Sequence, residues 1–247
     1  MKNLNIMLLF CLTFFYKISG QNIIIQGEFI GHYKGTMKLG ENNEKKEEFT
    51  FIFNKSSSYF VSNSNFQFEN TGDFGIGSYF PERFIFNDNE YNISGKYVET
   101  MISYNEKVTF KWKIQNERKI IHGVNCQLAT ANKYGRTWAA YFAKEYPFPF
   151  GPAKFGGLPG LIFEVSDSEG EYKFVIEDLK KQNNSVKVNL SNYKQLSKQD
   201  YLKARNNSEF SIASFPGLPI SQSKEFEKRL EKLKKMNNNP LERKPFE

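Results

Sequence analysis

Apolar and polar residues alternate with period two in a series of short stretches between residues 29 and 190, as in half-buried strands. Phe49, Phe51 and Phe53 share one face, and Arg136, Trp138, Ala140 and Phe142 share another, opposite Thr137, Ala139 and Tyr141. The alternation predicts strands over residues 29–39 (broken at Gly31 and Gly35), 48–54, 58–61, 96–104, 107–115, 119–131, 134–142, 161–166, 172–177 and 186–190. Polar clusters place turns at Lys55-Ser56-Ser57 and at Asp167-Ser168-Glu169-Gly170, and a hairpin link at Asn116-Glu117-Arg118. Residues 63–92, with Asn87-Asp88-Asn89, read as longer loops. Helical spacing comes late. Ser197 and Asp200 form a near capping box ahead of residues 201–205. Ser223 is placed to cap 224–236, where Phe226, Leu230 and Leu233 make a narrow stripe and Glu225/Arg229 and Glu231/Lys235 pair on the outer faces. The expectation is a mainly β fold, a large twisted antiparallel sheet or half-open barrel with one or two C-terminal helices.

One stretch organises the rest. Residues 147–165 combine Pro147, Pro149, Pro152 and Pro159 with Gly151, Gly156, Gly157 and Gly160, then run into Leu161-Ile162-Phe163. Proline fixes φ and glycine reaches positive φ, so this composition specifies a backbone path. Pro159-Gly160 suits the centre of a type II turn tucked against a core.

The beginning of the chain reads as a secretory leader over residues 1–20: Lys2, an apolar run over 6–15, then Ser19-Gly20. The run is too short for a comfortable span, and no later stretch approaches the ~20 apolar residues a span needs. Cys11 follows Phe10, which disfavours lipidation. The implied organisation is a leader over 1–20, one β-rich domain over 21–220, a basic amphipathic helix over 221–236 and a disordered tail over 237–247. The mature protein is expected to be soluble and outside the cytoplasm, in the periplasm, at the outer membrane or secreted. Removing the leader takes Lys2 and Lys17 from 34 basic residues and none of the 27 acidic ones, leaving a net charge of +5. From Lys180 onward 15 basic face 7 acidic residues, so the excess sits at the C-terminal end, as a solvated lysine-rich face or a contact for anionic lipid or polysaccharide. Only Cys126 remains after processing, so no intramolecular disulfide forms, and apolar Val124 and Leu128 beside it predict a buried thiol.

Candidate chemistry is sparse. His32 and His122 are the only histidines, and Asp167, Glu169 and Glu171 lack the spacing of a calcium loop; no metal or cofactor is expected. No G-x-S-x-G, H-E-x-x-H or phosphate-binding glycine loop occurs. Arg136 beside Trp138 offers an anion or ring-stacking site, with a structural cation at the sheet edge as the alternative. Export argues against nucleic acid as a partner.

The run Gly157-Leu158-Pro159-Gly160-Leu161-Ile162 reads GLPGLI. Upstream stand Trp112-Lys113-Ile114, Ile121, Gly123, Cys126, Ala129, Gly135-Arg136, Trp138, Ala140-Tyr141, Gly151-Pro152 and Phe155. Over residues 111–167 this resembles the GLPGLI family, secreted proteins of Bacteroidetes with no assigned function. Val124 replaces a usual aromatic and Tyr141 a common tryptophan, both keeping apolar bulk. The resemblance implies an envelope location and no reaction. Two roles follow as expectations. One is a non-enzymatic carrier of a lipid or other hydrophobic ligand, held in a concavity lined by Phe51, Phe53, Trp112 and Trp138. The other is a protein-interaction module engaging an outer-membrane partner through the GLPGLI loop or the C-terminal helix. An enzyme is the third reading and would need carboxylates or Arg136 to converge in a cleft. The candidate binding residues are Arg136, Trp138, Leu158, Pro159, Gly160, Leu161 and Ile162, each with a structural role as the alternative.

Overall fold

The structure, a computed structural model, describes residues 22–69, 77–98, 100–210 and 220–247. The expected leader lies outside them. Twelve strands make one sheet: β1 (Asn22–Gly40), β2 (Asn43–Phe53), β3 (Ser58–Ser62), β4 (Arg83–Asn87), β5 (Glu90–Tyr97), β6 (Thr100–Glu106), β7 (Lys113–Ile121), β8 (Val124–Lys133), β9 (Arg136–Ala143), β10 (Leu161–Asp167), β11 (Tyr172–Asn189) and β12 (Lys194–Gln195). Their order is β12-β6-β5-β4-β3-β2-β1-β11-β10-β9-β8-β7, with β1 near the middle and β12 and β7 at the edges. Among the described strands only β12 with β6 is parallel. The helices are α1 (Asn63–Gln67), α2 (Lys198–Phe210) and α3 (Ile220–Met236). The fold is mainly β, one unclosed twisted sheet with its two longer helices at the C-terminal end, as the alternation predicts.

Three hairpins turn on two residues with consecutive positive φ: Asp88-Asn89 (52°, 62°), His122-Gly123 (48°, 81°) and Tyr134-Gly135 (57°, 74°). Such loops match the right-handed twist of the flanking strands. The first replaces the long loop expected around 87–89. The second divides the expected 119–131 strand into β7 and β8. Asn116-Glu117-Arg118 is therefore not a hairpin link; the β7–β8 register shifts between Ile114 and Arg118, a bulge in the edge strand. Residues 107–112 form no strand. Two expected interruptions disappear. β1 runs through Gly31 and Gly35, and a Cβ on Gly35 would stand 2.6 Å from the Phe49 ring, so glycine there lets the ring lie across the strand. β11 joins the expected 172–177 and 186–190 strands into 18 residues. Ser197 Oγ accepts the Asp200 N–H at 3.1 Å ahead of α2, the cap its spacing predicts. Ser223 falls inside α3 instead of ahead of it, because the helix begins at Ile220.

The main core covers one face of the sheet and gathers Tyr33, Phe49, Phe51, Phe53, Phe60, Phe84, Trp138, Phe142 and Phe174 from strands across its width. The alternate residues Ile52, Tyr59, Val61 and Ile85 face the other side with Val186 and Val188, partly covered by Phe66 of α1. Strands at opposite ends of the order meet through side chains: Tyr134, in the β8–β9 turn, donates from its hydroxyl to Glu106 at the end of β6 at 3.1 Å. The sheet thus curls into a half-open barrel whose seam carries no backbone ladder.

The Pro/Gly stretch plugs this barrel. Phe148 meets the Phe53 ring at 5.1 Å and Phe155 meets Trp138 at 4.6 Å between centroids. Backbone bonds fold the stretch on itself: Gly157 N to Pro149 O at 2.9 Å, Leu161 N to Tyr146 O at 2.8 Å and Ile162 N to Phe150 O at 2.9 Å. Trp112 Nε1 donates to Gly156 O at 2.8 Å. The turn glycine is Gly157 (φ 83°), not Gly160, which takes no positive φ. Gly160 is needed for closeness, since a Cβ there would sit 2.3 Å from the Ala143 carbonyl oxygen, where β10 begins its pairing with β9. We expect Gly160→Ala to lower the urea-denaturation free energy by about 2–3 kcal/mol through backbone displacement. Gly157→Ala, with nothing within 4 Å of its Cβ, should cost only about 1 kcal/mol for its φ. Equal losses would place the glycine requirement elsewhere.

Candidate functional site

Arg136 opens β9 and its side chain is buried. Its Nη1 donates to Asp167 Oδ2 at 2.6 Å and Glu171 Oε2 at 2.9 Å, its Nη2 to Asn239 Oδ1 at 2.6 Å and Pro240 O at 2.9 Å, and its Nε to Leu241 O at 3.1 Å. The guanidinium lies over the Tyr172 ring, 4.8 Å from its centroid. Asp167 also accepts the backbone N–H groups of Glu171 and Tyr172 at 2.7 and 2.9 Å, which folds the β10–β11 hairpin around its predicted turn. The planar fork of arginine is used on every donor edge, so Arg136 fastens the hairpin to the chain after α3.

A second charged cluster sits on the seam. Lys154, buried in the Pro/Gly stretch, donates to Glu106 at 2.5 Å and pairs with Glu242; Lys198 at the start of α2 binds both carboxylates at 2.7 Å. Both ammonium groups lie over the Tyr134 ring, at 4.9 and 4.7 Å. Burial alone would pull the Lys154 ammonium down, but Glu242, Tyr134 and Glu106 more than offset it and hold it above the usual lysine range. Burial likewise pushes Glu106 up, and Lys154 and Lys198 outweigh it, leaving that carboxyl below its ordinary 4.5. Glu171 behaves the same way under Arg136, Asn239 and Arg243. Residues 237–247, expected to be a disordered tail, are bound by these two clusters, whose fastening groups lie far away in sequence on β9, the β10–β11 turn, the Pro/Gly stretch and α2.

Between this C-terminal segment, α2, α3 and the β5–β6 end of the sheet opens a cleft of about 390 Å³. Ring faces and aliphatic groups dominate its wall, among them Leu39, Phe80, Tyr97, Tyr201, Leu202 and Leu233. Its central polar groups are bonded to one another or to backbone. Tyr97 donates to Glu82 at 2.8 Å and meets the Tyr201 hydroxyl at 2.7 Å, Arg205 donates to Glu82 at 2.5 Å, and Tyr172 donates to the Asn239 carbonyl at 2.6 Å. Burial, before the nearby Glu82, pushes the Tyr97 and Tyr201 hydroxyls far above the usual phenol range, so both stay protonated donors. The arrangement presents a mainly apolar surface, and among the described residues that line it no nucleophile–base pair is formed.

None of the seven sequence-selected residues lines this cleft. Arg136 and Trp138 are buried, Trp138 donating to the Lys133 carbonyl at 3.1 Å. Leu158, Gly160, Leu161 and Ile162 are buried in the plug, and Pro159 alone is exposed. The expected concavity at Phe51, Phe53, Trp112 and Trp138 is filled: Phe51, Phe53 and Trp138 are fully buried, and Trp112 stacks on Phe110 at 4.9 Å. The apolar plug residues Phe148 and Phe155 occupy the space that a ligand would need. Cys126 is buried without a disulfide, and burial, with Glu145 and Glu164, pushes its thiol up to about 12. His32 pairs with Asp178 at 2.6 Å, and His122 forms a hairpin turn. Among the described residues no three His, Cys, Asp or Glu side chains are grouped to hold a metal ion. The cleft residues were missed because they come from segments far apart in sequence, residues 78–84, β5, β6, β11, α2 and the chain after α3; the 13 tyrosines were the one available signal.

No family model and no curated protein matches the chain. Among solved structures, two crystal forms of PNGF-II share the fold at a TM-score of 0.57 and 14% identity, over 74% and 75% of this chain. The match covers 34% of those chains, so this chain spans about a third of their length. At that identity the likeness is one of fold.

Arg136→Met should cost about 3–5 kcal/mol in urea denaturation, because Asp167 is left buried without its cation; a loss below 1 kcal/mol would remove Arg136 from its central place. Acid provides a second test. Glu106 and Glu171 have folded pKa values below their ordinary 4.5, so the stability they confer is complete above that value and disappears as pH falls through the lower folded values. The thermal midpoint should fall along that acid limb, and Glu106→Gln should flatten it.

Proposed function

We propose that the chain is an exported cell-envelope protein of the GLPGLI type that binds a small, mainly apolar ligand in the cleft beside α2, without catalysing a reaction. The observation that carries this reading is the self-satisfied polar wall. With Glu82, Arg205, Tyr97, Tyr201 and Tyr172 bonded to each other or to the backbone, a ligand meets a mainly apolar wall of ring faces and aliphatic groups. A cleft of about 390 Å³ falls in the range of small-molecule sites. The leader-like residues 1–20 and the 111–167 resemblance support export. Among the described residues no helix is long and apolar enough to cross a membrane. The carrier reading moves from the plugged barrel interior to its mouth. The interaction reading is weaker, because the GLPGLI leucines and isoleucine are buried and Leu233 of α3, 46% exposed, faces the cleft.

Native mass spectrometry of protein purified from its own envelope should show an added mass of lipid size. Nile red should bind the delipidated protein saturably, and Leu233→Arg, on an exposed helix position, should weaken that binding about tenfold or more by placing a charge against the apolar wall. A clean apo mass together with no saturable Nile red binding would overturn the reading.

A further inference from the structure

The segment after α3 is attached in a particular way. Its root is fixed: Asn43 Nδ2 donates to the Met236 carbonyl at 2.7 Å, and a Cβ on Gly40 would lie 2.4 Å from that same oxygen, so the last turn of α3 is seated on the β1–β2 turn. Beyond this root no residue from Asn237 to Glu247 is fully buried. The segment is held instead by polar contacts strung from β1 to α2. Asn239 N donates to Leu39 O at 2.8 Å, and Lys244 N to Tyr134 O at 3.0 Å. Arg136 receives Asn239, Pro240 and Leu241; Lys154 and Lys198 receive Glu242; Glu169 and Glu171 receive Arg243. Along the way Asn237, Asn239, Pro240, Leu241 and Glu242 form one wall of the cleft.

Each buried cation that receives the segment also touches a carboxylate outside the segment. Arg136 keeps Asp167 and Glu171, and Lys154 and Lys198 keep Glu106. Leaving a buried charge unpaired is what makes most ion pairs costly to break. Here the segment's departure leaves every cation still beside a carboxylate, with Lys154 and Lys198 sharing Glu106. The charges also alternate to match: without the segment, Lys154 and Lys198 outnumber Glu106, and Glu169, Glu171 and Asp167 outnumber Arg136, while the segment brings Glu242 to the first group and Arg243 to the second. We propose that residues 237–247 are a releasable strap, which pivots at Met236 and opens the cleft while the sheet stays folded. This rests on the cleft being the binding site only for its purpose; the release itself stands on the strap's own contacts.

Hydrogen exchange on the full chain tests the release, and a reversible lock tests its purpose. The Asn239 and Lys244 amides should exchange at least about a hundredfold faster than β1 and β2 amides, as a separate opening unit does. Glu242→Gln should speed them a further tenfold or so, about the value of one charge-assisted hydrogen bond, with β1 and β2 unchanged. Strap amides that exchange only together with β1 and β2 would overturn the proposal. For the lock, a Cβ built on Gly135 lies 3.2 Å from Lys244 Cβ, close to disulfide range. Gly135→Cys/Lys244→Cys, oxidised, should slow Nile red association in stopped flow at least about tenfold, and reduction should restore the rate in the same sample, a control for folding. Equal rates in both forms would show that the strap is not a gate. Strap amides that open as expected in a protein that never binds Nile red would sustain the release and count against the cleft reading alone.

Discussion

A sheet that curls without closing leaves two lips of strand that the backbone cannot join, and in this protein ion pairs join them. Glu106 stands at the end of β6, one place in from the β12 edge; Tyr134 stands in the β8–β9 turn, one place in from the β7 edge; Lys154 lies between them in the plug. Because these groups are drawn from widely separated parts of the chain, the curvature of the whole sheet depends on a few charges staying charged. Buried ion pairs contribute little net stability compared with apolar substitutes, but they fix geometry, since removing one partner is expensive. Arg136 applies the same principle to the β10–β11 hairpin.

The GLPGLI run has a different task from the one its conspicuous composition suggests. Its prolines and glycines shape a plug that fills the barrel with Phe148, Phe150, Phe155 and Leu158, and Gly160 allows two backbones to touch where β10 starts. Filling the interior this way leaves the open cleft at the mouth, not in the middle. The exposed β7 edge is guarded by other means. Its bulge at 115–117 and the charged residues Lys113, Glu117, Arg118 and Lys119 spoil it as a template for a further strand.

Period-two alternation made the β architecture legible, and the Phe49-Phe51-Phe53 face is packed as that pattern requires. The Ser197–Asp200 cap and the Asp167–Gly170 hairpin were also readable, because each is a local contact between residues a few positions apart. Two-residue hairpins at Asp88-Asn89 and His122-Gly123 were harder, since their signal is a pair of positive φ angles and only one of the four residues is glycine. The cleft left almost no mark. Tyr97, Tyr104, Tyr172 and Tyr201 look like ordinary half-buried aromatics until the sheet curls, and nothing within a local window tells a lysine bound for the seam, such as Lys154, from one bound for solvent.

β1 is the first strand of the described chain, yet it lies inside the sheet, paired on one side with the adjacent β2 and on the other with β11. In that second ladder Asn22 faces Asn189 and Met37 faces Tyr172, partners well over a hundred residues apart. Loops of that length close slowly, and contacts so distant in sequence form late. Until β11 has emerged, one flank of β1 has no native mate, and its unpaired amides and carbonyls are open to the wrong strand. The local hairpins, β1–β2 among them, need only neighbouring residues, whereas the β1–β11 ladder needs the chain up to residue 189. A chain built in this order gains from being held unfolded until its synthesis is complete.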